Sequence, residues 1–66
     1  MNVKVGDVVE LRLPGRDDWL TARCTDAENY EFRIVQAGAF LGAIARPGDY
    51  IDVRVYERIA AASDEG

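Results

Sequence analysis

Apolar and polar residues alternate along most of the chain with a period of two, and no segment sustains the three-to-four spacing of an amphipathic helix. In a first strand region, Val3 to Leu13, residues Val9, Leu11 and Leu13 fall on one side and Glu10 and Arg12 on the other. Trp19 to Thr25 repeats the pattern, with Leu20, Ala22 and Cys24 against Thr21, Arg23 and Thr25. Tyr30 to Val35 alternates most cleanly, setting Tyr30, Phe32 and Ile34 inward and Glu31, Arg33 and Val35 outward. Phe40 to Ala45 reads as a short strand of small residues in which Gly42 marks a bulge or a close backbone approach. Tyr50 to Ile59 is the last strand. Ala37 to Ile44 is the stretch whose Ala and Leu would suit a helix equally well.

Turn chemistry separates these regions. Pro14-Gly15 suits the centre of a type II turn, because Pro presets one dihedral and Gly takes the positive one, and Arg16-Asp17-Asp18 extends it into a polar loop. Asp26-Ala27-Glu28-Asn29 is the next turn, and Arg46-Pro47-Gly48-Asp49 a second Pro-Gly turn. Five strands with such spacing predict an all-β fold, a small five- to six-stranded antiparallel barrel of the SH3-like kind or a related Greek-key form. The domain is expected to span residues 1–59. Residues 60–66, small and acidic, are expected to be a flexible tail.

One motif occurs twice: Gly6-Asp7-Val8-Val9-Glu10-Leu11-Arg12-Leu13 and Gly48-Asp49-Tyr50-Ile51-Asp52-Val53-Arg54-Val55. In each copy a Gly-Asp turn feeds a strand whose polar side carries an acid and then an Arg. If the copies pair antiparallel, as first and last strands do when a barrel closes, Glu10 faces Arg54 and Arg12 faces Asp52. Such pairs contribute about 0.2–1 kcal/mol each, too little to drive closure but enough to favour one register. Generic strand grammar is the competing reading of the repeat.

Composition narrows the chemistry. Sixty-six residues stand near the lower limit for a self-sufficient core, so association with another chain is a real option. A single Cys and no His exclude an intrachain disulfide framework or a structural zinc site, and no cofactor is expected. No secretory or membrane-spanning pattern is legible, and a reducing, cytoplasmic setting is the expectation. The net charge of −4 opposes phosphate backbones. Without His, acid–base work would fall to carboxylates, and any nucleophile would lack an imidazole partner, so the chain does not read as an enzyme.

Individual residues sharpen this only slightly. Cys24, on an apolar strand face, reads as a small buried hydrophobe. Asp17-Asp18 and Asp26-x-Glu28 lack the ligand density of a calcium loop and read as solvated turns. Gly38-x-x-x-Gly42 lacks the Lys and Ser or Thr of a nucleotide-binding turn. Trp19, beside Arg16, Asp17 and Asp18, has the chemistry of a partner contact. The alternative, favoured by the shortage of large core residues, is that Trp19 covers one end of the core. Tyr50 and Tyr56 share the strand side of Asp52 and Arg54, a partner surface or an ordinary sheet exterior. The candidate contact residues are therefore Arg16, Asp18, Trp19, Tyr50, Arg54 and Tyr56.

Val5-Gly-Asp-x-Val-Glu-Leu11, the strand ending Ala22-Arg-Cys-Thr-Asp26, Tyr30 to Val35 and Pro47-Gly-Asp-Tyr-Ile-Asp-Val53 together resemble the small β-barrels of the PilZ group, in particular the domain that precedes PilZ in flagellar-brake proteins. The resemblance covers most of the chain and consists of strand grammar. PilZ domains bind cyclic di-GMP through Arg-x-x-x-Arg and Asp-x-Ser-x-x-Gly motifs. Arg12 and Arg16 match the first by letter and Asp26 begins the second, but Glu28 and Glu31 stand where Ser and Gly are required. Extra negative charge there opposes phosphates, so the resemblance implies a PilZ-like barrel that works by protein contact, with cyclic di-GMP disfavoured. The expected function is a non-enzymatic adaptor or regulatory module binding another protein. The alternatives are a self-assembling structural barrel or, further off, a nucleotide- or nucleic-acid-binding module.

Overall fold

The computed structural model describes residues 2–56. Five strands, β1 (Val8–Arg12), β2 (Leu20–Asp26), β3 (Glu31–Ile34), β4 (Ile44–Ala45) and β5 (Asp52–Val55), form one antiparallel sheet in the order β4-β3-β2-β1-β5. The first four strands meander, and β5 returns to pair with β1. Among the described residues β4 and β5 are not paired with each other, so the hydrogen-bonded ladder is open. No described helix is long and apolar enough to cross a membrane. The expected tail at 60–66 and the end of the expected last strand lie outside the described residues.

Alternation sends one face of the sheet inward. Val9, Leu11, Leu20, Ala22, Cys24, Phe32, Ile34 and Ala45 are buried, and Val3, Leu13, Ala27, Tyr50 and Val53 pack around them. Phe32, Leu11 and Val9 are the largest fully enclosed side chains, each contributing on the order of 1.5–3 kcal/mol through loss of water contact. Cys24 is among them, and desolvation raises its thiol above the usual range, so it stays protonated and inert.

The repeated motif produces repeated geometry at its turns. Asp7 N–H donates to the Lys4 carbonyl (2.9 Å) while Lys4 N–H donates to the Asp7 carboxylate (3.0 Å). Asp49 and Arg46 make the same reciprocal pair at 2.8 and 3.0 Å. Gly6 (φ 96°) and Gly48 (φ 103°) occupy the positive-φ position that a type II turn requires. The expected Pro14-Gly15 turn is also present, closed by Arg16 N–H to the Leu13 carbonyl at 3.1 Å.

After the turns the two copies part. Ile51 N–H donates to the Arg12 carbonyl at 2.8 Å, yet the ladder pairs Arg12 with Asp52. Two residues thus oppose one, a β-bulge, and the alternation before Asp52 is reversed. Tyr50, expected outward beside Asp52, instead turns to the core: its ring meets Phe32 edge-on at 5.6 Å, and its hydroxyl donates to the Tyr30 carbonyl at 2.9 Å. Burial holds the Tyr50 phenol above its usual pKa. Ile51 takes the outward position and is 56% exposed.

Other expectations are trimmed by local bonding. Residues 4–7 form a hydrogen-bonded turn ahead of β1, and Val3 precedes it. The expected strand from Phe40 shrinks to Ile44–Ala45, because Leu41 N–H bonds the Gly38 carbonyl (3.2 Å) and Ala43 N–H the Phe40 carbonyl (2.9 Å), winding 38–43 into turns that are neither strand nor helix. Tyr30, expected inward, ends the β2–β3 turn at φ 54° and is exposed. A left-handed conformation costs a residue with a β-carbon roughly 1–2 kcal/mol, and the Tyr50 hydroxyl bonds the carbonyl of this strained position.

Candidate functional site

The outward face of the β1–β5 pair carries the densest set of directed side-chain contacts. Glu10 stands opposite Arg54 and Arg12 opposite Asp52, the pairing that the repeated motif predicts. Arg54 Nε donates to Glu10 Oε1 at 2.8 Å, and Arg12 donates to Asp52 Oδ2 at 3.2 Å. The β1–β2 register, continued one step past Leu11–Leu20, sets Trp19 beside Arg12. Trp19 does not cover the core: its ring lies under the Arg54 guanidinium, 4.0 Å from ring centre, with the Arg12 guanidinium 5.8 Å away. The outward parity of position 19, one before buried Leu20, explains this placement. Arg12 Nε is shielded from solvent without an acceptor, so packing near the indole contributes to holding this guanidinium as well as the Asp52 ion pair.

Arg16 and Asp18 lie in the β1–β2 loop and engage each other through two hydrogen bonds of 3.0 and 2.9 Å. That bidentate contact holds the Asp18 carboxyl below the usual carboxylate range and raises Arg16. The Arg16 guanidinium also lies 5.3 Å from the Phe40 ring centre, joining this loop to the one between β3 and β4. Between the loops is a cavity of about 100 Å³ lined by Arg16, Leu20, Ile34, Gln36 and Phe40 among others. Gln36 is fixed there by accepting the Thr21 N–H at 3.0 Å.

Of the expected contact residues, Trp19 and Arg54 are brought together, and Tyr56 is exposed at the end of the same strand, its N–H on the Val8 carbonyl. Arg16 and Asp18 form a separate pair beside Phe40, and Tyr50 belongs to the core. The Asp26 carboxylate is taken up by Asn29, through the backbone N–H at 3.0 Å and the side-chain amide at 2.9 Å, which keeps its pKa below the usual range. No group of three or more His, Cys, Asp or Glu among the described residues could hold a metal ion.

Sequence reading missed the Arg23–Arg33 pair, which faces outward at directly opposite positions of β2 and β3. Both residues are legible as outward from alternation. Their juxtaposition depends on a register shift between Cys24 and Asp26, which leaves Thr25 as an extra residue. No protein-family model matches the chain, and no curated protein or solved structure matches it either.

Proposed function

We propose that this chain is a non-enzymatic protein-binding module, built as a small barrel of the SH3-like or PilZ-like kind, whose partner surface centres on Trp19 and Arg54. The strand order supports the barrel: a four-strand meander whose fifth strand returns to the first is an arrangement that needs only further coiling to close. One observation carries the binding role. Arg54 is stacked on an outward Trp at 4.0 Å while ion-paired to Glu10 at 2.8 Å, so a large aromatic and a guanidinium are held ready before any partner arrives. Trp and Arg are the residue types most concentrated at energetic centres of interfaces, and preorganisation reduces the entropy lost on binding.

Small-ligand binding is less well supported. The cavity of about 100 Å³ beside Phe40 is well below the roughly 300–1,000 Å³ of typical ligand pockets. Asp26 spends its carboxylate on its own turn, and Arg16 is neutralised by Asp18, so neither stands ready for a phosphate. Affinity capture with the intact 66-residue chain tests the proposal. A partner retained by the parent and lost with Trp19→Ala, at unchanged fold by circular dichroism, supports it. Failure of any protein to be retained above the Trp19→Ala background refutes it.

A second reading, self-assembly, is favoured by the outer edge of β5. That edge has no strand partner among the described residues and carries Val55, 42% exposed, and an unpaired edge invites a second strand. Light scattering across a concentration series separates the two, since an adaptor stays monomeric where a self-assembler grows in mass.

A further inference from the structure

Three outward arginines each meet an acid, while the β2–β3 register sets like against like, Arg23 opposite Arg33 and Asp26 opposite Glu31. Glu10 meets Arg54, Asp52 meets Arg12, and Glu31 meets Arg46 at 3.4 Å. Arg23 meets Arg33. Arg23 donates to the Gly6 carbonyl at 3.1 Å, whereas the Arg33 guanidinium has no hydrogen-bond or ion-pair partner among the described residues. The neighbours in the same row offer no relief. Arg33 stands opposite Ile44 on β4, and Arg23 opposite Val8 on β1. Glu31 and Glu10, the acids nearest along β3 and β1 on this face, are each engaged by another Arg. A chain of net charge −4 thus keeps two arginines opposed near the middle of its sheet, an arrangement that like-charge repulsion disfavours.

An anion placed between the two guanidinium groups would turn that repulsion into attraction, because a carboxylate accepts two parallel N–H donors from Arg. The flanking Val8 and Ile44 are half-buried and apolar, so the row reads apolar, Arg, Arg, apolar. We propose that the Arg23–Arg33 row docks an acidic segment of a protein partner in which carboxylates alternate with apolar side chains. This rests on the protein-binding reading above and specifies the partner's chemistry. A nucleic acid fits less well, since its continuous phosphate charge would be set against the negative field of the whole chain, while a short acidic segment presents its charge only at the arginines.

The test titrates the intact chain with a labelled ten-residue peptide alternating Glu and Leu, its Gln-for-Glu counterpart, inorganic phosphate and a single-stranded 12-mer DNA. Fluorescence anisotropy reads the labelled peptides and the DNA, and amide chemical shifts read phosphate. The Glu peptide is expected to bind best, to lose about tenfold in affinity with Arg33→Gln, and to lose more with Arg33→Glu. Lys4→Gln, which removes one exposed positive charge outside this row, should change it less than about threefold. Arg33→Glu creates an opposite-charge pair with Arg23 and should fold at least as stably as the parent, so lost binding cannot be ascribed to unfolding. Equal binding of the Gln peptide, tighter binding of phosphate or DNA, or indifference to Arg33→Glu overturns the proposal. If a captured protein partner depends on Trp19 but not on Arg33, the acidic-segment proposal fails while the broader reading stands.

Discussion

The β1–β5 and β2–β3 pairs are both antiparallel, both outward-polar and both built with arginine, yet they treat charge in opposite ways. Along β1–β5 each Arg meets an acid, and one Arg is further stacked on Trp19. Along β2–β3 Arg meets Arg with no acid between them. The first pair joins residues 40 and 44 positions apart in the chain, where loop closure is costly and register is not dictated by a short turn. Complementary charge is useful there. The second pair is joined by a short turn that limits how far its strands can slide, so its outward positions are free to carry charges that do not help folding. That freedom is what makes the β2–β3 face a candidate for recognition and the β1–β5 face a candidate for both stability and contact.

Charge reversal should separate the two pairs most clearly. Arg54→Glu places an acid opposite Glu10 and removes the stack on Trp19, and denaturant unfolding should show a loss of about 2 kcal/mol. Adding Glu10→Arg should restore roughly half, since the ion pair returns and the stack does not. A full recovery would mean that the Trp19 contact contributes nothing.

Tyr50→Phe tests what else sets the phase of β5. It removes the hydroxyl that bonds the Tyr30 carbonyl and should cost about 1 kcal/mol in the same assay. A neutral result would place the register in the charges alone. On β2–β3 the sign should invert: Arg33→Glu is expected to stabilise by about 0.2–1 kcal/mol, because Arg23 gains a cross-strand acid. Destabilisation there would contradict the description of the Arg pair as unrelieved. The smallest effect is that of salt. Near 1 M, where the Debye length falls to about 3 Å, the Arg33→Glu gain should shrink to a few tenths of a kcal/mol, whereas the Tyr50→Phe loss should persist.

Much of the fold was legible because burial enforces alternation. Leu20, Ala22 and Cys24, or Phe32 and Ile34, leave little choice of which face turns inward, and Pro14-Gly15 and Pro47-Gly48 mark turns by chemistry alone. The Glu10–Arg54 and Arg12–Asp52 pairs were legible for a different reason: a motif repeated in an antiparallel pair brings acid to Arg automatically. Trp19 and Arg54 were legible as contact residues one by one, but not as a stacked pair, since nothing in the local pattern relates a residue before β2 to one on β5. Tyr50 and Tyr30 were misplaced because period-two reasoning continues through a bulge or a left-handed residue without registering it.

Residue type and spacing along a few neighbours are thus enough to assign most strand faces, the Pro-Gly and Gly-Asp turns and the complementary charges of the first and last strands. The bulge at Ile51–Asp52, the shift at Thr25, the stacking of Arg54 on Trp19 and the meeting of Arg23 with Arg33 come from the assembled sheet. Each of these depends on how two strands slide against each other, and a one-residue difference in that sliding is set by the packing of the whole sheet, not by any single segment.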